Sequence, residues 1–358
     1  MACSYLGTAQ RAKLHQGLVI PASPLALDEH RRLDERRQRA LMRYYHAAGA
    51  GGVAVGVHTT QFEIRKPEIG LFEPVLALCA ETLDACARAA GRPIIKIAGA
   101  CGSTAQAVAE ASLAVRLGYD AVLLSLSALK GQAEEAVLTH CRLVGEVMPL
   151  IGFYLQPAVG GIPLSYSFWR RFAEIENVAA IKIAPFNRYQ TLDVVRAVAD
   201  AGRENEIALY TGNDDNILMD LITPFTFKRA SDSVTLRIRG GLLGQWAVWT
   251  HRAVHFLDCI HTVIETGASI RRDFLETHVA LLDANAAIFD AANGFHGCIA
   301  GINEVLRRQG LLANNLCLNP AETLSVGQAG EISRVCAAYP QLTDDEFVRA
   351  NLDSWMKD

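Results

Sequence analysis

Lys182 stands inside an otherwise apolar run, Val178-Ala179-Ala180-Ile181-Lys182-Ile183-Ala184-Pro185. Such a run predicts a buried strand closed by its proline. Strands alternate their faces, so Ala180, Lys182 and Ala184 share one side, and Ala179, Ile181 and Ile183 the other. The small residues leave a gap beside the ammonium. An amine desolvated there holds its proton less tightly, and the neutral amine is the form that attacks a ketone to give a Schiff base. A second reading stays open: a strand-end lysine that keeps its charge in water and lays its stem along apolar surface. In the earlier run Pro149-Leu-Ile-Gly-Phe-Tyr-Leu-Gln-Pro157, Tyr154 likewise precedes an expected strand end, sharing one parity with Gly152 and Gln156. A phenol near an imine-forming lysine can shuttle protons as the carbinolamine forms.

The elements that position these residues repeat along the chain. Short apolar runs begin near Gly17, Gly51, Pro93, Asp120, Pro149, Val178, Ile207 and Thr235. Helical spacing follows them, over about 28–48, 73–90, 103–117, 133–147, 165–175, 191–201 and on to about 265. Eight strand–helix units predict a closed (β/α)8 TIM barrel over residues 1–266, rather than an open doubly wound sheet. No GxGxxG follows the first run and no Walker loop occurs. After Gly267 the strand signal ends, and 274–291, 297–309 and 330–338 predict a C-terminal helical appendage over 267–358. In a barrel, active sites lie at the C-terminal ends of the strands, the end where Lys182 and Tyr154 are expected.

Composition narrows the class. The 358 residues are 51% hydrophobic and 20% charged, enough apolar material for a large core. A formal net charge of −4 offers no basic face for nucleic acid or an anionic membrane. No apolar run approaches the roughly 18 residues that span a bilayer, and the first residues carry no secretion signal. Nine cysteines, an odd number without a CxxC pair, suit reduced thiols in a cytoplasmic protein. The histidines show no metal-binding spacing, so neither metal nor cofactor is expected.

Tyr154-Leu-Gln-Pro157 and Ile181-Lys182 resemble the dihydrodipicolinate synthase / N-acetylneuraminate lyase family of class I, Schiff-base aldolases. Ile97-Ala-Gly-Ala100 and Thr211-Gly-Asn-Asp214 extend the likeness, which runs from about Gly17 to Leu312. The resemblance implies that Lys182 forms the imine and that Tyr154 relays protons. It implies a carboxylate cradle from main-chain N–H groups of the loop after strand two, at Thr59 and Thr60, with the Thr60 hydroxyl passing a proton to Tyr154. It also implies a homo-oligomer, a dimer or tetramer. Three departures matter. Gln61-Phe62 replaces the family's Gly-Glu, Ser127-Ala128-Leu129 replaces a tyrosine pair, and Val159 stands where the synthases hold a second carboxylate with arginine. Without that arginine fork, recognition of a small acidic aldehyde is lost.

Other residues have open readings. His58 adjoins the cradle as a substrate contact or a structural histidine. Arg237 and Arg239 share a parity in the expected eighth strand, as barrel ion pairs or as a replacement anion anchor at the mouth. Gln245, Trp246 and Trp249 line the pocket or pack, and Lys96 lies too near a strand start for chemistry. The resulting expectation is a lysine-dependent lyase, aldolase or dehydratase acting on pyruvate or a larger 2-oxo acid, and not dihydrodipicolinate synthase itself. The alternative is a member without turnover that binds 2-oxo acids or regulates.

Overall fold

The computed structural model describes residues 5–357. From the amino end the chain runs α1 (Thr8–Gln16), β1 (Val19–Pro21), α2 (Glu35–Ala47), β2 (Gly52–Val55) and α3 (Phe72–Ala90). It continues as β3 (Ile95–Ala100), α4 (Thr104–Arg116), β4 (Ala121–Leu124), α5 (Glu134–Gly145), β5 (Leu150–Leu155) and α6 (Tyr166–Phe172). Next come β6 (Val178–Ala184), α7 (Arg188–Ala201), β7 (Ala208–Thr211) and α8 (Ile217–Ile222). A hairpin of β8 (Phe225–Arg229) and β9 (Asp232–Leu236) precedes β10 (Ile238–Leu243). The helices α9 (Thr250–Thr266), α10 (Arg272–Ile288), α11 (Cys298–Arg308), α12 (Gln328–Ala338) and α13 (Asp345–Trp355) complete the order.

Two compact units make up the chain. One holds residues 5–18 and Ile95–Leu242, the other Val19–Ile94 and 243–357. In the first, parallel strands lie in the order β10, β7, β6, β5, β4, β3. Every residue of β3, β5 and β6 is buried, as expected for parallel strands covered on both faces. Helix starts follow side-chain chemistry: Ser103, Ser165 and Asn187 each accept from a main-chain N–H of the first turn of α4, α6 and α7. In the second unit β1 and β2 run parallel through an Ala22–Ala54 bridge. There the Tyr44 ring of α2 packs on Phe347 and Trp355 of α13.

Seven of the expected strands are present within a few residues, and the eighth is displaced. Thr235 and Leu236 close the β8–β9 hairpin, whose partly exposed faces alternate, and the parallel strand begins only at Ile238. The apolar residues on both sides of Arg237 merged two elements into one apparent run. Helices α1, α8 and α13 lie outside the sequence prediction. The eight cysteines described are free thiols, and Cys3 lies outside the described residues. Burial pushes the thiols of Cys79, Cys141 and Cys317 up to about 12.

In α11, Glu304 is only 4% exposed and accepts from Arg307, Arg308 and Asn315. The Arg307 hydrogen bond first, and that of Arg308 after it, lower its carboxyl pKa to about 2. A depressed carboxyl pKa stabilises the fold above the ordinary value of 4.5, and this contribution disappears as the pH falls toward about 2. Glu304→Gln is therefore expected to lose about 1–3 kcal/mol in urea unfolding at pH 7, and the gap from wild type should close as the pH is lowered through that window.

Candidate active site

Lys182 is 8% exposed at the centre of β6, with Ala180 and Ala184 on its face as the sequence predicts. Its neighbours across the sheet are Phe153 of β5 and Tyr210 of β7. The ammonium nitrogen lies over the Phe153 ring, 4.4 Å from its centroid. Tyr210 shares the face, but its hydroxyl donates to the Leu14 carbonyl of α1 at 2.9 Å.

Tyr154 is not beside the lysine, and this corrects the expected arrangement. Leu150 pairs with Val178, but Ile151 pairs with Ala180, so Ala179 is an extra residue in β6. A one-residue bulge exchanges the faces of everything beyond it relative to the partner strand. Phe153 thereby takes the place next to Lys182, and Tyr154 falls opposite Ile183. Gly152 and Tyr154 do share a parity, as expected, but theirs is the helix-facing side. The Tyr154 ring lies 5.3 Å from Trp169 of α6, and a Cβ at Gly152 would meet Phe172 at 2.8 Å. The phenol donates to the Leu164 carbonyl (3.0 Å) and accepts from the Leu164 N–H (3.2 Å). Burial raises its pKa.

A buried network holds the ends of β6 and β7. Asp220 of α8, 1% exposed, accepts from Thr211 (2.6 Å), Asn213 (2.9 Å) and Asn216 (2.9 Å), and pairs with Arg188. The Asn213 side-chain oxygen in turn accepts from the Phe186 N–H at 3.0 Å. Between Thr211 and Asn213 lies Gly212, whose N–H donates to the Ile183 carbonyl at 2.7 Å. Phe153 and Gly212 escaped the sequence reading. The one available signal was their place beside Tyr154 and within the Thr-Gly-Asn-Asp motif.

Arg237 and Arg239 are also displaced. Arg237 precedes β10 and donates to the Ile222 carbonyl at 3.0 Å, while Arg239 is the second residue of that strand. Both therefore lie at the strand's N-terminal end rather than at the mouth. The Arg239 charge is one of the influences that lower the His15 pKa in α1. Burial first, and Arg239 next, depress the pKa of Arg237. The anchor role fails on the one-element error that misplaced the eighth strand.

His58, Thr59 and Thr60 belong to the other unit, in a 3-10 turn after β2. Thr59 donates its hydroxyl to the Ala22 carbonyl (2.8 Å) and Thr60 to the Ser23 carbonyl (2.7 Å), tying the turn to the end of β1. Thr60 Oγ1 also accepts from the N–H groups of Gly56 and Val57. Its single proton is thus committed to Ser23, which corrects the expected transfer to Tyr154. The main-chain N–H of Thr60 donates to Val57 and that of Gln61 to His58. The half-buried His58 ring sits 6.0 Å from that of Phe62. Gln61 adopts φ 70°, ψ 124°, a backbone region suited to glycine, and its side-chain oxygen accepts from the Leu318 N–H. The residue that departs from the family's Gly-Glu is thus held by the tail after Leu312. Gln245, Trp246 and Trp249 are buried, at most 3% exposed.

No family model matches the chain. Over 200 residues it is 33% identical to a 4-hydroxy-tetrahydrodipicolinate synthase of Aromatoleum aromaticum, covering 55% of this chain and 63% of the relative. The chain thus spans just under two thirds of the length of the curated relatives it matches. Dihydrodipicolinate synthase from Aquifex aeolicus superposes with a TM-score of 0.71 at 19% identity, over 91% of this chain and 98% of that one. A prophage protein of the dihydrodipicolinic acid synthase family from E. coli K12, solved with pyruvate, gives 0.71 at 16% identity, over 90% and 97%. The fold is the (β/α)8 barrel with C-terminal helices. In sequence the chain is similar to 4-hydroxy-tetrahydrodipicolinate synthases, and in fold to solved dihydrodipicolinate synthases. Among the described residues no helix is long and apolar enough to cross a membrane.

Two substitutions check these placements. Tyr154→Phe leaves the ring on Trp169 but removes the Leu164 hydrogen bonds, so it should lose about 0.5–1.5 kcal/mol in denaturant unfolding and leave imine trapping at Lys182 unchanged. Gln61→Ala should be less stable than Gln61→Gly by about 1 kcal/mol, because alanine keeps the strained φ and glycine does not. Thermal unfolding of the pair reads this order.

Proposed function

We propose that this protein is a lysine-dependent lyase that forms a Schiff base between Lys182 and pyruvate or a larger 2-oxo acid. The observation that carries the reading is a nearly buried lysine on a small-residue face, at the family's imine position. The neutral amine adds to the 2-oxo carbon, and the carbinolamine takes up a proton on its hydroxyl and loses water to give an iminium. That cation takes up the electron pair when the adjacent carbon–carbon or carbon–hydrogen bond breaks. Aldol cleavage, condensation and dehydration all use this intermediate. For the substrate carboxylate, the resemblance implies contacts at Thr59, Thr60 and His58. The role foreseen for Tyr154 is not retained. With Val159 in place of the fork-forming arginine, an acceptor other than a small acidic aldehyde is favoured. The proposed division is a catalytic barrel over 1–266 with a helical region over 267–358, in a cytoplasmic homo-oligomer.

Phe153 favours a second reading. A ring without a hydroxyl stands where a proton-relaying phenol was expected, which suits a member that binds 2-oxo acids without rapid turnover. Borohydride reduction in the presence of pyruvate and a panel of larger 2-oxo acids, read by intact mass, separates the cases. Wild type is expected to gain one adduct that maps to Lys182, and Lys182→Ala none. Saturable 2-oxo acid binding without an adduct would support the binder, and an adduct on Lys96 would reject the assignment.

A further inference from the structure

We propose that Phe153 and Gly212 are positioning residues for the Lys182 amine, Phe153 governing its charge and Gly212 its place. The inference deepens the imine reading and rests on it for its relevance to catalysis.

The ammonium nitrogen lies 4.4 Å from the centroid of the Phe153 ring. The negative face of an aromatic ring attracts a cation and does nothing comparable for a neutral amine. The ring therefore opposes the loss of charge that burial beside Ala180 and Ala184 promotes. The ring and this burial act in opposite directions on the charge of the amine, whose face is shared on the other side by Tyr210. The iminium that follows is again a cation on the same nitrogen, so the ring also faces the charge of the intermediate.

Gly212 forms a wall beside the lysine stem. A Cβ built there would stand 2.6 Å from Lys182 Cε, 3.1 Å from Lys182 Cγ and 2.7 Å from the Ala184 Cβ. Approaches under 3.0 Å are closer than real Cβ atoms come to their neighbours, so the lysine stem occupies the volume that any other residue would fill. Gly212 has no left-handed backbone angle, unlike Gly202 at φ 69°. Glycine is therefore required at 212 by the approach of Lys182 and Ala184, and not by the turn. The Asp220 network and the Gly212 N–H bond to Ile183 keep that wall in place.

Two measurements test the proposal without a substrate. The first is acetic anhydride labelling of Lys182 across pH, read by peptide mass spectrometry. Phe153→Leu keeps apolar bulk and removes the π face, so the labelling midpoint should fall by about half to one and a half pH units, a 3- to 30-fold change in the protonation constant. Phe153→Tyr restores the ring and should restore the midpoint. The second is a thermal double-mutant cycle: Gly212→Ala should lower Tm with Lys182 present, and by clearly less in the Lys182→Ala background, where the stem is gone. The double variant also provides a folded protein if the single one fails. In the borohydride assay, Gly212→Ala should trap pyruvate about 10–100-fold more slowly, the scale of an ångström displacement of a reacting group. An unchanged midpoint in Phe153→Leu, or equal Tm losses in both backgrounds, would overturn the proposal. Failure of wild type to trap any 2-oxo acid would remove the imine reading, and the midpoint and the cycle would still decide what surrounds the amine.

Discussion

The pairing of β5 with β6 decides what the central lysine touches. Both strands are buried along their whole length, so a shift of one residue exchanges an entire set of side chains between two packed environments. The extra residue Ala179 makes that shift. Beyond it Phe153 lies beside Lys182, while Gly152 and Tyr154 turn to α6, where only a glycine leaves room for Phe172 and Trp169. The two consequences are inseparable. A return to continuous register would bring a phenol to the amine and drive the Phe153 ring into the helix packing.

Polar contacts then hold the loops that end these strands. Asp220 gathers Thr211, Asn213, Asn216 and Arg188 around one buried carboxylate, and Asn213 passes the restraint to the Phe186 backbone. Each partner satisfies a group that would be costly to bury alone, so the network specifies one geometry. In the other unit the Thr59–Thr60 turn is fastened to the end of β1 by two hydroxyl–carbonyl bonds, and Gln61 to the Leu318 backbone. Each loop is thus restrained by hydrogen bonds within its own unit.

Chemistry and family resemblance diverge within this frame. The lysine, its small-residue flank and the Thr-Gly-Asn-Asp turn are kept. The groups that move protons and recognise a second carboxylate are altered: Phe153 adjoins the lysine, Thr60 is committed to Ser23, and Val159 replaces an arginine.

Strand–helix alternation, the burial of Lys182 and the face it shares with Ala180 and Ala184 were legible from sequence, because period-2 and period-3.6 patterns report which side of an element meets the core. The Gln61-Phe62 departure was legible too, as a change of residue type, although its strained φ and its Leu318 partner were not. What the sequence could not express was registration between elements. A bulge at Ala179 leaves no mark in an apolar run, and the hairpin that displaced Arg237 and Arg239 merged with the strand after it for the same reason. Nor does the sequence distinguish a glycine required by its backbone from Gly212, required by the stem of Lys182 beside it. Local preference settled what each segment became. Which residue met the lysine was decided only when two buried strands had to pack without a void.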